Sequence, residues 1–160
     1  MITVKVNGLT ETLRRIEEYK NGVQRKANEL ARRLAEMGAT NVSLMFARAI
    51  YDGQNDFNVT VEDTNSGGYK IVVNGETVAF VEFGAGVTYG YGHPQAGQFG
   101  VGPGTYPSGK GHWNDPKGWW IPRDKGGGHT YGNPPNMPMY NTAADLRREM
   151  ARVAREVFNS

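Results

Sequence analysis

The chain has 160 residues, no cysteine and a formal net charge of +2. That length favours a single domain, and the missing thiols exclude a disulfide scaffold, cysteine-ligated metal and a thiol nucleophile. No apolar run approaches the ~20 residues of a membrane span, and so small a charge does not by itself argue for a nucleic-acid partner.

Composition changes sharply along the chain. All 8 prolines, all 3 tryptophans and all 3 histidines fall between His93 and Pro138. The segment Leu9–Ala49 is basic, and Ile50–Phe83 carries six acids against one base, Lys70. Met1-Ile-Thr-Val-Lys-Val6 alternates as a short strand and has no secretory-leader pattern. With the absent cysteines, this fits a protein made in a reducing cytoplasm.

Apolar residues then recur in steps of three and four from Leu9 and Leu13 through Leu30, Leu34 and Met37 to Ala49. This spacing predicts a helical region over 9–50. Glycine costs roughly 1 kcal/mol in a helix interior. Gly22 is therefore expected to divide the region into a short helix near 9–20 and a long one near 22–50. Glu29, Arg32, Arg33 and Glu36 form its solvated back face; the interleaved acids argue against a nucleic-acid groove.

The period becomes two over residues 57–83. Phe57, Val59 and Val61 form one strand and Tyr69, Ile71 and Val73 a second, with a turn at Asn65–Gly68. Asn74-Gly75 is a strong hairpin signal, and Thr77–Phe83, apolar on both faces, reads as a covered third strand. Lys117–Pro122 supplies a short fourth strand returning to this sheet. Ala143–Phe158 places Leu146, Met150, Val153 and Val157 on one side, predicting a C-terminal helix over 142–158 capped by Asn141 or Thr142. The expected fold is α+β: a long N-terminal helix and a C-terminal helix packed on one face of an antiparallel β-meander of about four strands.

Residues 84–138 form a loop far longer than the usual connection of about four to six residues. Its aromatics would favour association if left in water. It therefore reads as an arm that orders against a partner, with Tyr89, Tyr91, His93, Trp113, Trp119, Trp120 and Tyr131 as contact candidates; packing on its own domain is the simpler reading. Deleting Ala85–Asn136 is expected to leave a folded domain. His93, His112 and His129 lack metal-binding spacing. Glu82 reads as an edge carboxylate that pairs or faces water. Glu82 with Asp115 is the one conceivable pair for sugar hydrolysis, the tryptophans forming a sugar platform. No Gly-x-Ser-x-Gly or Walker pattern is present. The expectation is a non-enzymatic protein without metal or cofactor.

The motifs Gly8-Leu9, Phe80-Val-Glu-Phe-Gly84 and Pro138-Met-Tyr-Asn-Thr-Ala143, in that order and spacing, resemble the head–tail joining, or neck and tail-completion, proteins of long-tailed bacteriophages. The Pro-x-x-Thr-Gly-x-Leu stretch of many relatives is replaced here by Tyr51-Asp-Gly-Gln-Asn-Asp56. The long Gly/Trp-rich loop is similar to versions in phages of Gram-positive hosts. The resemblance implies a structural subunit of a hexameric or dodecameric ring at the head–tail junction of the virion, assembled in the host cytoplasm. Its partners would be itself and neighbouring neck, tail-terminator or tail-tube proteins, with at most non-specific contact to passing DNA and none to membrane. An alternative is a minor tail or tail-tip module whose aromatic loop contacts host glycans; a metal-dependent hydrolase ranks behind both.

Overall fold

A computed structural model describes residues 8–86, 92–101 and 115–159. The strand expected at Met1–Val6 lies outside them. In chain order the elements are α1 (Leu9–Ala47), β1 (Asn58–Asp63), β2 (Tyr69–Asn74), α2 (Val78–Phe83), β3 (Trp119–Trp120), β4 (His129–Thr130) and α3 (Pro138–Phe158). Single 3-10 turns occur at Ala96–Phe99 and Arg123–Lys125. The class is mixed helix and sheet, but the described residues form two separate two-stranded antiparallel sheets, β1–β2 and β3–β4, rather than one meander. Among them no helix is long and apolar enough to cross a membrane.

α1 is one continuous helix, not two, and it ends at Ala47. Gly22 does not interrupt it. Gly38 is a point of close packing: a Cβ there would lie 2.4 Å from Ile71 Cδ1 and 2.8 Å from Leu146 Cδ1. β2 and α3 therefore press on α1 from two sides at the residue with no side chain. The back face is as expected, with Arg33 2.6 Å from Glu29 and Arg32 3.0 Å from the same carboxylate.

β1 and β2 pair from Asn58↔Asn74 to Asp63↔Tyr69. The turn falls at the expected place: Thr64 N–H donates to Gly68 O (2.8 Å), and Gly67 takes a φ of 79°. Asn74-Gly75 is not a second hairpin turn. Gly75 lets Asp56 O approach where a Cβ would sit 2.2 Å away. Asp56 then accepts from the N–H groups of Glu76 and Thr77 (both 3.2 Å) and from the Thr77 hydroxyl (2.9 Å).

Those bonds hold the turn that leads into a helix, so the third strand expected at Thr77–Phe83 is instead α2, with Thr77 at its N-cap. A stretch of six apolar at all but Glu82 satisfies a buried helix as well as a covered strand, and periodicity alone does not separate them. Val81 is fully buried against Val42 and Phe46, with Phe57, Val59, Val73 and Met139 packed around this core. Phe46 stacks on Phe57 at 5.3 Å.

α3 begins at Pro138, four residues before the expected start at 142. Neither Asn141 nor Thr142 caps it; Thr142 is buried and reaches Met45 Sδ at 3.7 Å. The stretch before the helix is tied to the body by two asparagines. Asn136 donates to Ile50 O (3.0 Å) and accepts from Ile50 N–H (2.8 Å). Asn133 donates through its amide to Phe80 O (2.9 Å) and pairs its backbone with Ala85. The deletion of Ala85–Asn136 considered above would remove both ties, together with the Ala85 backbone that Asn133 pairs with.

Candidate interaction surface

Two places gather the residues singled out in the sequence. The first surrounds Glu82, whose carboxylate is buried. It accepts from the N–H groups of Met139 (2.8 Å) and Tyr140 (3.0 Å), the open donors at the start of α3, and contacts His93 Nε2 at 3.2 Å. Gln95 N–H donates to His93 Nδ1 at 3.0 Å, which places the ring proton on Nε2, aimed at Glu82. Phe83 and Tyr140 flank the imidazole, with ring centroids at 4.4 and 5.4 Å. His93 is 5% exposed and faces the body, not a partner.

Both oxygens of Glu82 and both nitrogens of His93 are thus engaged internally. The glutamate is not an edge carboxylate facing water, and its lone pairs are taken by α3 and His93. Asp115, the other half of the carboxylate pair considered above, holds a turn by accepting from Lys117 N–H at 2.8 Å.

The second place is the β3–β4 ribbon. Its pairing, Trp119↔Thr130 and Trp120↔His129, replaces the expected return of Lys117–Pro122 to the first sheet. Gly118 (φ 71°) permits the entry, since a Cβ there would lie 2.2 Å from Thr130 O. Three successive glycines with positive φ, Gly126 to Gly128, close the connection. The inner face fastens the ribbon to the body. Thr130 is buried and its hydroxyl donates to Asp52 at 2.7 Å. Gln54 N–H donates to Lys125 O at 2.8 Å, and Lys125 pairs with Glu76 at 2.9 Å. That carboxylate raises the Lys125 pKa. Burial, aided by the Asp56 and Asp52 charges, raises that of nearby Tyr51.

Strand alternation turns the opposite set outward. Trp120 is 75% exposed and Tyr131 60% exposed. His129 stands between them, edge-on to both, with centroids at 5.1 and 5.0 Å. Three rings thus form a ladder on a backbone pinned from behind. Such rings offer large contact area at low cost in side-chain freedom, the composition that dominates binding energy at protein interfaces.

The structure therefore separates the seven contact candidates. Trp120 and Tyr131 share the outer face, Trp119 is half-buried on the inner one, and His93 belongs to the Glu82 cluster. Tyr89, Tyr91 and Trp113 lie outside the described residues, as does His112. His93 and His129 sit in separate clusters, and among the described residues no three His, Asp or Glu side chains gather to hold a metal. His129 was missed as a contact residue. Its signal was the period-two spacing His129-Thr-Tyr131, legible once β4 is known to be extended. The part of the loop described over 115–137 packs on its own domain instead of reaching away from it.

No protein-family model matches this chain, and no significant match is found among curated proteins or solved structures.

Proposed function

We propose that this chain is a structural subunit of the neck of a tailed bacteriophage, built into a hexameric or dodecameric ring joining head to tail. The observation that carries this reading is the order of the three motifs. The meeting of the two distant ones supports it physically: Glu82 of Phe80–Gly84 caps the helix that opens at Pro138. The charge division supports head-to-tail neighbours, since a basic helical part faces an acidic 50–83 segment on the next copy. The ladder of Trp120, His129 and Tyr131 is the surface for a neighbouring subunit or a tail-terminator or tail-tube protein. In this reading the protein catalyses no reaction and takes no cofactor, and DNA touches it only through backbone electrostatics. It resides at the head–tail junction of the virion after assembly in the host cytoplasm.

Cryo-EM of the neck of the purified virion tests this. Rings whose density accepts α1, α3 and the β1–β2 hairpin, with Trp120 against a neighbour, are the expected result. Trp120→Ala/Tyr131→Ala should then leave the monomer folded and yield unjoined heads and tails. Density at the tail tip instead would favour the glycan-binding module, for which the exposed Trp120 is the supporting feature. Absence from the virion would refute both.

A further inference from the structure

The dipeptide Asn-Gly occurs at Asn7-Gly8, Asn21-Gly22 and Asn74-Gly75. It is the asparagine sequence most open to reaction with itself. The main-chain nitrogen of the following residue attacks the side-chain amide carbon, and glycine puts no Cβ in the way. The attack also needs that nitrogen free of a hydrogen bond, and an asparagine able to turn about its own main-chain bonds. Asn7 lies outside the described residues. The other two dipeptides meet these conditions in opposite ways.

Asn21-Gly22 sits well inside α1. Gly22 N–H belongs to the helix ladder, donating four residues back, and the ladder fixes the main chain of Asn21. Asn74-Gly75 sits where β2 stops. Asn74 pairs with Asn58, the first residue of β1, so the strand ladder ends there. Gly75 N–H donates to no backbone group among the described residues. Both asparagines are exposed, so it is the backbone that separates them. Glycine is also obligatory at 75, since a Cβ there would lie 2.2 Å from Asp56 O. The packing that seats Asp56 against the turn therefore keeps the reactive dipeptide in place.

We propose that Asn74 is a site of spontaneous covalent modification, converting to aspartate and isoaspartate while Asn21 is held intact. Gly75 N bonds to Asn74 Cγ, the Cγ–Nδ2 bond breaks, and Nδ2 leaves as ammonia with the Gly75 amide proton. Water then opens the cyclic imide. Opening at Cγ leaves aspartate. Opening at the main-chain carbonyl of residue 74 leaves isoaspartate, whose main chain runs through Cγ and is one carbon longer. Either product adds a seventh acid to the 50–83 segment. The longer chain also displaces Gly75 from Asp56 O and disturbs the turn in which Asp56 accepts from Glu76 and Thr77. On the neck reading, the new charge falls on the segment that meets the basic part of the next copy; the chemistry itself does not rest on that reading.

The test holds the full chain in mildly alkaline buffer for several weeks, native and in concentrated urea, and maps it with trypsin. Cleavage after lysine and arginine places the two asparagines in separate peptides, 21–25 and 71–110, each with a single asparagine. A gain of about 1 Da marks conversion. Methyl transfer from S-adenosylmethionine by an isoaspartate-specific methyltransferase marks the isoaspartate. In the native chain, peptide 71–110 should convert about tenfold faster than 21–25, whose reaction waits on local opening of α1. In urea both are the same dipeptide in an open chain, and their rates should agree within about twofold. Asn74→Ser should abolish methylation of peptide 71–110. An unchanged 71–110 in the native chain would overturn the inference, whatever happens in urea. So would native conversion of 21–25 at the same pace, or methylation of 71–110 that survives Asn74→Ser.

Discussion

Replacing Glu82 by alanine leaves three buried donors without their acceptor: the N–H groups of Met139 and Tyr140 and the Nε2–H of His93. Loss of a helix cap costs about 1 kcal/mol. Loss of a carboxylate at the positive end of a helix adds about 0.5–1 kcal/mol. An unpaired buried imidazole N–H adds about 1–3 kcal/mol. These overlap, so about 3 kcal/mol is expected. With a urea slope of about 2 kcal/mol per M for a chain of this size, the midpoint should fall by about 1.5 M at unchanged slope. Glu82→Gln retains one acceptor oxygen but turns an amide N–H toward a backbone donor, so it should lose about half as much. Urea titration followed by circular dichroism at 222 nm measures both, and hydrogen exchange at Met139 and Tyr140 should quicken in each. Midpoints within about 0.2 M of the parent for both variants would refute the assignment of Glu82 as the cap of α3.

Gly22→Ala, with nothing within 4 Å of the added Cβ, should stabilise the chain by about 0.5–1 kcal/mol through helix propensity. Gly38→Ala gains the same propensity but drives a methyl into Ile71 and Leu146. It should be destabilising by about 1–3 kcal/mol in the same urea assay. Asp56 gives a pH signature. Burial pushes its pKa up, but the bonds from Glu76 and Thr77 outweigh that and hold it below the ordinary value. Its stabilisation is therefore full above the unfolded pKa of about 3.9 and is lost as pH falls through the lower folded value. Asp56→Asn should be less stable than the parent at pH 7, with the two midpoints converging as the pH falls through the lowered folded value. Thr60→Val should raise the urea midpoint, by about 1 kcal/mol of stability, because the Thr60 hydroxyl is buried without a partner among the described residues.

The helices α1 and α3 were legible because their apolar steps repeat for many turns, and the β1–β2 turn because Asn65–Gly68 is local chemistry. What was not legible shares one cause. Three helix ends depend on side chains remote in sequence or outside the helix. Asn55 donates to Phe46 O at the end of α1 (2.6 Å), Asp56 holds the turn into α2, and Glu82 starts α3. No local pattern announces such caps. The available hint was negative: Pro138 is well suited to the first position of a helix, yet Met137 before it brings no capping oxygen, so the acceptor had to come from elsewhere. Gly38 misled in the same way, since propensity counts its cost and not the neighbours it admits. Of the surface ladder, Trp120 and Tyr131 were chosen for their chemistry, but their sharing of one face with His129 depends on the β3–β4 register.

The backbone bridge between Ala85 and Asn133, closed by two hydrogen bonds of 3.0 and 3.1 Å, means that the long aromatic excursion leaves and re-enters the domain at one point. Loop-closure entropy grows only slowly with length, so the body is nearly indifferent to how much chain hangs between those two residues. Selection can then change the length of the excursion to suit a changing partner, provided that His93, Lys125 and Thr130 keep their contacts to Glu82, Glu76 and Asp52. The same junction is a socket for engineering, where a foreign peptide or a small domain with adjacent termini could be carried without redesigning the core.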